Sequence, residues 1–543
     1  MHLGISPSAV NQGNAINLRD PQTSLSDPNS TGFNHVPKSA AGSGISPSVI
    51  QTGPPYAESF PFSADTAFEP KADKLFASIN TFKSFPQLPV NPGPSASQYY
   101  FLSGIGFQGN DPFAQPGHYG SQLGEKSLPL VTDGKGGAPF DVNLIKRDFP
   151  ILQEKVNGRP LIWLDNAATT QKPKQVIDRI TYFYEHENSN IHRAAHELAA
   201  RATDAYEGAR KKVQTFLNAG SVNEIIFVRG ATEAINLVAK TWGEQNLSAR
   251  DEIILSNLEH HANIVPWQQL GAKKGLKIRV IPVDDDGQIL LDEYAKLLNS
   301  KTRLVSFTQV SNALGTVTPA KRIVEMAHAA GAKVLVDGAQ SVSHLRSDVR
   351  ALNCDWFVFS GHKVFGPTGI GVLYGKEDLL NQTQPWQGGG NVIQDVTFEF
   401  TRFHDAPNRF EAGTGNIADA VGLGSAIDYV NKIGIDVIHQ YEHYLLVYAT
   451  GLLKDIPGLR LIGTAPDKAS VLSFVFAGYK TEEVGAALNE EGIAVRSGHH
   501  CAQPILRRFG VETTVRPSLA FYNTCSDVDV LVEILYRLRS TRR

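Results

Sequence analysis

Two residues, Asp337 in Val336-Asp337-Gly338-Ala339-Gln340 and Lys363 in Ser360-Gly361-His362-Lys363, each follow a short apolar run and precede small residues or a turn. A lysine leaving a strand end into an apolar, glycine-flanked site has an amine that desolvation and neighbouring cations keep partly unprotonated, so it can condense with an aldehyde. A carboxylate after a second strand keeps a pyridine nitrogen protonated, and a protonated ring is an electron sink for a carbanion. The pair therefore suits pyridoxal phosphate (PLP). A phosphate needs a cradle, and the helix expected from Ala231 to Val238 presents unpaired N–H groups and a favourable dipole at Ala231 and Thr232. Ser360 and His362 add side-chain donors, His260 suits the ring face and proton movement, and Asn312 and Gln340 suit the ring's phenolic oxygen. Singly, each has an ordinary reading as a loop lysine, a turn or a helix cap. Their joint order on successive strand ends argues for a site.

The elements that must hold these residues are legible as βα alternation from Phe140 onward. Glu224-Ile-Ile-Phe-Val228, Ile253–Leu255, Ile278–Ile281, Leu304–Phe307, Val334–Val336 and Trp356–Phe359 are short apolar runs separated by helical lengths. Such a pattern predicts an α/β fold whose mostly parallel sheet has helices on both faces. Ligands of these sheets bind at the carboxyl ends of the strands, where every candidate above lies.

The 543 residues divide sharply near Phe140. Residues 1–140 contain 17 Pro, 16 Gly and 18 Ser but only 16 charged residues, and their apolar side chains come singly or in pairs. No helical or strand period survives there, so the segment reads as a disordered extension. Residues 4–13 recur as 44–53 around a shared Gly-Ile-Ser-Pro-Ser. The repeat is either drift in low-complexity sequence or a short linear motif, with proline setting an extended backbone and flanking aliphatics as anchors. The formal charge of −3, from 51 basic and 54 acidic residues, offers no field for nucleic acid. Three cysteines, Cys354, Cys501 and Cys525, are too few for a disulfide framework and point to a reducing compartment. No signal peptide and no apolar window of about 18 residues is visible, so neither secretion nor a membrane span is expected.

The strings Phe-Val-Arg-Gly-Ala-Thr-Glu-Ala-Ile-Asn-Leu-Val (227–238), Glu-His-His-Ala-Asn-Ile-Val-Pro-Trp (259–267), Val-Asp-Gly-Ala-Gln (336–340), Ser-Gly-His-Lys (360–363) and Arg-Ser-Gly-His-His-Cys-Ala-Gln-Pro (496–504) resemble SufS-type, group II cysteine desulfurases. The resemblance runs from about residue 140 to the C-terminus. It implies a fold-type I, aminotransferase-like PLP enzyme: a large PLP-binding domain over 161–419, a smaller α+β domain from 141–160 and 420–543, and no metal. Position by position it implies that Lys363 holds PLP covalently and removes the substrate α-proton, and that Asp337 pairs with the ring nitrogen. Gln340 and Asn312 would meet the phenolic oxygen and His260 would stack on the ring. Ala231, Thr232, Ser360 and His362 would receive the phosphate, with Thr414 reaching into the neighbouring subunit's site of a homodimer. Residues 413–416 read Gly-Thr-Gly-Asn where the family has Gly-Thr-Pro-Asn.

The resemblance further implies that Cys501 is the nucleophile, taking sulfur from L-cysteine as a persulfide and leaving alanine. Arg516 would anchor the substrate carboxylate, with Arg496 organising the Cys501 loop. His192 and Arg193 match a segment at the site's mouth, and a helix-capping pair is an equally good reading of them. Only five positions separate Arg496 from Cys501, the short loop that in the family goes with a SufE-like sulfur acceptor and roles such as iron–sulfur cluster assembly. Selenocysteine lyase is the alternative, since the same residues cleave C–Se. The extension resembles those of desulfurases carried as cargo in family 2 encapsulin shells, implying a cytoplasmic enzyme with a shell protein as partner.

Overall fold

The computed structural model describes residues 140–192 and 196–541. The expected extension and its repeats, and Arg193, lie outside the described residues. Seven strands build the central sheet: β1 (Ile225–Val228), β2 (Glu252–Ser256), β3 (Lys277–Ile281), β4 (Thr302–Thr308), β5 (Lys333–Asp337), β6 (Trp356–Ser360) and β7 (Gly371–Gly375). Their order is β1-β7-β6-β5-β4-β2-β3. All pairings are parallel except those of β7, which runs antiparallel to both β1 and β6. Strands β1, β2, β6 and β7 are buried along their whole length. That is why they read as unbroken apolar runs rather than alternating ones. The six runs expected from the sequence are all strands; β7, with glycine at both ends, carried no comparable signal.

The helices used below are α1 (Lys174–His186), α2 (Glu197–Phe216), α3 (Ala231–Val238), α4 (Ile417–Ile433), α5 (Ile435–Lys454) and α6 (Cys525–Thr541). Helix α4 is apolar nearly all round and packs against both α1 and α2, as expected of a helix with no solvent face. Its glycines make the approach possible: a Cβ at Gly422 would stand 2.8 Å from both Ile180 and Pro367. A second, antiparallel sheet contains β8 (Leu459–Leu461), β9 (Phe474–Phe476), β10 (Arg496–Gly498) and β11 (Thr514–Arg516), in the order β8-β9-β11-β10. Near it, Ile162 and Trp163 pair in parallel with Ile493 and Ala494. Just beyond that short pairing, residues 165–172 touch both the β11 side and the turn after β6. Asn166 Nδ2 donates to the Ser518 carbonyl at 2.7 Å, and Thr170 N to the His362 carbonyl at 3.0 Å.

Candidate active site

The floor of the site is made by the ends of β5 and β6, which are neighbours in the sheet. Asp337 is the last residue of β5 and is 4% exposed, with Oδ1 accepting the Ala339 N–H at 2.9 Å. Burial pushes its carboxyl pKa up, while that N–H and the Lys363 charge pull it back. Lys363 closes the single turn Gly361–Lys363 that follows β6. Burial lowers its amine to about 8, against the pull of Asp337 and with a push from Arg516 and Arg496. The turn is pinned from outside the sheet. Thr169 Oγ1 donates to the His362 carbonyl at 3.0 Å, Phe365 N donates to Thr170 Oγ1 at 2.8 Å, and Lys172 Nζ reaches the His362 carbonyl at 3.3 Å. The His362 ring is half-buried and its pKa falls to about 4, first through burial and then through Lys363 and Lys172.

His260 follows β2 and is held neutral, its pKa lowered to about 3 by burial and then by Lys363, His261 and Arg516. Its Nδ1 accepts the Ala262 N–H at 3.0 Å, which leaves Nε2 to carry the proton. The residue before it, Glu259, is fully buried and explains why this segment holds its shape. Ser256 Oγ donates to its carboxylate, Thr308 N donates at 3.0 Å and Asn263 Nδ2 at 2.6 Å; Asn263 Oδ1 in turn accepts from Trp267 Nε1 at 2.9 Å and Ser306 Oγ at 2.5 Å. One carboxyl thus ties the ends of β2 and β4 to the turn carrying His260. Burial pushes the Glu259 pKa up to about 8. Sequence reasoning passed over Glu259, although its spacing to Asn263 and Trp267, four and eight residues on, marks one face of a helical turn.

At the other end of the floor, the Ser360 hydroxyl accepts the Ala231 N–H at 2.9 Å. The serine proton is thereby free to point onward, and the Ala231 amide is already used. Helix α3 has no side-chain N-cap, and Thr232 in its first turn is exposed. Backbones meet closely here: a Cβ at Gly371 of β7 would stand 2.5 Å from the Gly230 Cα, so β7 begins with glycine. Gln340 is 2% exposed, and its Oε1 is buried without a hydrogen-bond partner.

The two arginines sit directly opposite each other on β10 and β11, Arg496 against Arg516. Like charges in that register repel, and Asp165 lies between them: Oδ2 is 3.2 Å from Arg496 Nε and Oδ1 is 3.2 Å from Arg516 Nη2. Arg516 also donates from Nη1 to the Asn312 carbonyl at 2.9 Å, while its Nε is buried without a partner. Burial lowers the Arg516 pKa to about 10. Asp165, in Trp163-Leu-Asp165-Asn-Ala-Ala-Thr-Thr170, was also passed over; a carboxylate just after an apolar pair was its only sequence signal.

Cys501 lies three residues beyond β10, half-buried, and its field reaches both Lys363 and Arg516. His500 and Cys501 both adopt left-handed backbone, with φ of 52° and 54°. Each such non-glycine residue costs about 1–2 kcal/mol, so the tip must be held. The Asn312 side chain donates to the His500 carbonyl at 2.7 Å, and His261 N to the Cys501 carbonyl at 2.8 Å. The His500 ring is anchored on Thr514, with Nε2 2.8 Å from Oγ1, and burial drives its pKa to about 2. Cys354 is buried and Cys525 opens α6.

Two candidates stand apart from this group. His192 Nε2 is 2.9 Å from Glu207 Oε1, which raises the His192 pKa. Thr414 is exposed, with Oγ1 3.4 Å from Asn190 Oδ1. Through Glu207, His192 is linked to Arg210, which donates to Glu207 from Nε at 2.9 Å, is wholly buried and meets Glu411 through both Nη atoms at 2.7 and 2.9 Å.

The first group fits PLP. A buried carboxyl, a lysine with a lowered pKa, a buried side-chain amide at Gln340 whose NH2 can donate and a serine facing a helix N-terminus are the partners that a ring nitrogen, an aldehyde, a phenolic oxygen and a phosphate require. Among the described residues, no group of three or more His, Cys, Asp or Glu could hold a metal ion, and no helix is long and apolar enough to cross a membrane.

Comparison with known proteins agrees with this geometry. The Aminotransferase class-V family matches residues 162–531. A cysteine desulfurase of Synechococcus elongatus is 68% identical over 421 residues, 77% of this chain and 67% of the relative. A cysteine desulfurase of Dickeya dadantii is 49% identical over 400 residues, covering 74% of this chain and 97% of the relative. Among solved structures, the Escherichia coli cysteine desulfurase CsdA superposes with a TM-score of 0.69 at 39% identity, covering 74% of this chain and 99% of that one. The cysteine desulfurase of Thermococcus onnurineus NA1 gives 0.70 at 36% identity, covering 73% and 97%. These similarities favour cysteine desulfurase over selenocysteine lyase. With the fold, the strand-end site and these relatives in agreement, the chain belongs to the Aminotransferase class-V family, and within it to the PLP-dependent cysteine desulfurases.

Proposed function

We propose that the chain removes sulfur from L-cysteine by a persulfide route in which Cys501 is the acceptor. The observation that carries this reading is one loop in which the Cys501 carbonyl is held by the segment bearing His260, while the neighbouring carbonyl is held by Asn312. Nucleophile and cofactor floor are thus tied together. PLP, when bound, supplies the electron sink that stabilises negative charge at the substrate Cα.

The residues divide the remaining work. Arg516 takes the substrate carboxylate, with its unpartnered Nε as one free donor. Lys363, with its amine lowered to about 8, exchanges a proton with the substrate Cα near neutral pH. Asp337 would pair with the ring nitrogen, and the Gln340 amide would donate to the phenolic oxygen. Neutral His260 would cover the ring face without adding a second positive charge. Ser360 and the α3 N-terminus would receive the phosphate, with Ala231 committed to orienting Ser360 and with Thr232 and His362 beside them. The Cys501 thiolate attacks the substrate sulfur, the Cβ–S bond breaks with its electron pair going to carbon, and protonation yields alanine. One cysteine and the Cys501 thiol become one alanine and one persulfide.

Several finer assignments belong to the same reading. The short Arg496–Cys501 loop supports a SufS-type, group II enzyme that discharges its persulfide to a SufE-like acceptor. The exposed position of Thr414 beside Asn190 supports a homodimer in which Thr414 serves the partner's site, with His192 and its neighbour Arg193 at the site's mouth. Residues 1–140, all but the last outside the described residues, act as a targeting segment for an encapsulin shell in the cytoplasm. The large domain of 161–419 carries the cofactor, and 141–160 with 420–543 forms the smaller domain.

The decisive experiment is mass spectrometry of the Cys501 peptide after one turnover with L-cysteine. The wild type gains one sulfur atom on that peptide. Cys501→Ala makes neither persulfide nor alanine at the wild-type rate, and unchanged desulfuration by that variant overturns the route.

A further inference from the structure

The backbone of the Cys501 tip is held from the floor of the site and from within its own loop. Asn312 and His261 N are built into the floor. Within the loop, Ala502 N donates to the His499 carbonyl at 2.9 Å, and Cys501 N donates to the His499 Nδ1 atom at 3.0 Å. The His499 ring is exposed and lies in a stacked arrangement on His261, with centroids 5.8 Å apart and an interplanar angle of 26°. His499 therefore closes a two-residue ring around His500, the same i to i+2 bond that asparagine and aspartate side chains make in turns. The bond needs the Nδ1 lone pair. A neutral imidazole has it and a doubly protonated one does not, so protonation places a donor against a donor.

We propose that His499 is a positioning residue that holds Cys501 in its left-handed turn through the Nδ1 lone pair. The inference rests on Cys501 being the sulfur carrier. It gives the tip a hold weak enough to open when the loop must present its sulfur elsewhere.

The test uses the full-length, PLP-loaded enzyme and iodoacetamide, with alkylation followed on the Cys501 peptide so that Cys354 and Cys525 do not contribute. His499→Phe keeps a ring against His261 and removes the acceptor; His499→Asn restores an acceptor that does not titrate. Alkylation of His499→Phe is expected to be about fivefold faster than wild type at neutral pH, the equivalent of one hydrogen bond of about 1 kcal/mol. His499→Asn is expected to match the wild type. The cofactor's visible absorbance stays the same in all three, which separates loss of positioning from damage to the floor. Equal alkylation of the three proteins overturns the proposal. Cys501→Ser decides the underlying reading separately: full desulfuration by that variant removes the persulfide route, whatever the alkylation rates show.

Discussion

The floor of the site and the loop that carries the nucleophile solve opposite problems with different materials. Asp337 and Ser360 terminate buried parallel strands, and Lys363 follows within one turn, so their positions are set by the sheet. Cys501 sits on left-handed backbone, half-buried, and is held by hydrogen bonds borrowed from Asn312, His261 and His499. A group that must stay fixed is built into a sheet, whereas a thiol that must receive sulfur and give it up is placed where strain and replaceable contacts nearly balance. The same division appears in the charges. The floor is desolvated, and its pKa values are displaced mainly by burial.

That contrast can be broken or sharpened in order of effect. Lys363→Ala is expected to lower desulfuration about ten-thousand-fold, the upper range for a lost general base, and to abolish the lysine-linked cofactor absorbance. If the band remains, another amine holds the cofactor. Asp337→Asn keeps the shape of the floor and removes its charge; a loss of about a hundredfold in turnover is expected, the scale of one preorganised electrostatic contact. A steady-state assay with saturating PLP checks it, and a change in cofactor affinity alone refutes the charge role.

Burial also predicts the acid stability of the floor. His260, His362 and His500 titrate at about 3, 4 and 2 in the folded chain, below the range of an unfolded histidine near about 6.5. As pH falls below that value the unfolded chain takes up protons that the native one refuses, so stability drops. Glu259, raised to about 8, works the other way, since the native chain keeps a proton that the unfolded one has lost. Three lowered histidines outnumber the two raised carboxyls, Glu259 and Asp337, so the net effect is a loss of stability as pH falls from roughly 6 to 5. Urea midpoints across that range measure it, and a flat profile would mean that the imidazoles are not held neutral. The smallest effect is expected from Glu259→Gln, which sets an amide against the Asn263 or Thr308 donors. A cost of about 1–3 kcal/mol in unfolding free energy is expected, with turnover falling through His260; unchanged stability would show that the carboxyl is not the tie.

Much of this was readable before any coordinates. Six of the seven central strands announced themselves as apolar runs; five of them are buried along most of their length and have no polar alternation to hide them, while the edge strand β3 showed only a short aliphatic run. The residues of the floor followed from where those runs stop. β7 escaped notice because glycines bound it, and its reversed direction depends on which strands it lies between. Asp165 and Glu259 escaped for a different reason. Each works through partners far along the chain, Arg496 and Arg516 for the first and Thr308 for the second.

The local sequence by itself determined the βα alternation, the candidate cofactor residues and the cysteine that stands among histidines, since these depend on residue type and short spacing. Only the tertiary structure decided that Arg496 and Arg516 face each other across Asp165, that Asn312 holds the nucleophile's loop, and that His192 meets Asn391 and Thr414 meets Asn190. The physical reason is common to all three. Strand register and loop docking bring together groups more than a hundred residues apart, and no local pattern encodes which distant carboxylate or amide will satisfy a buried charge.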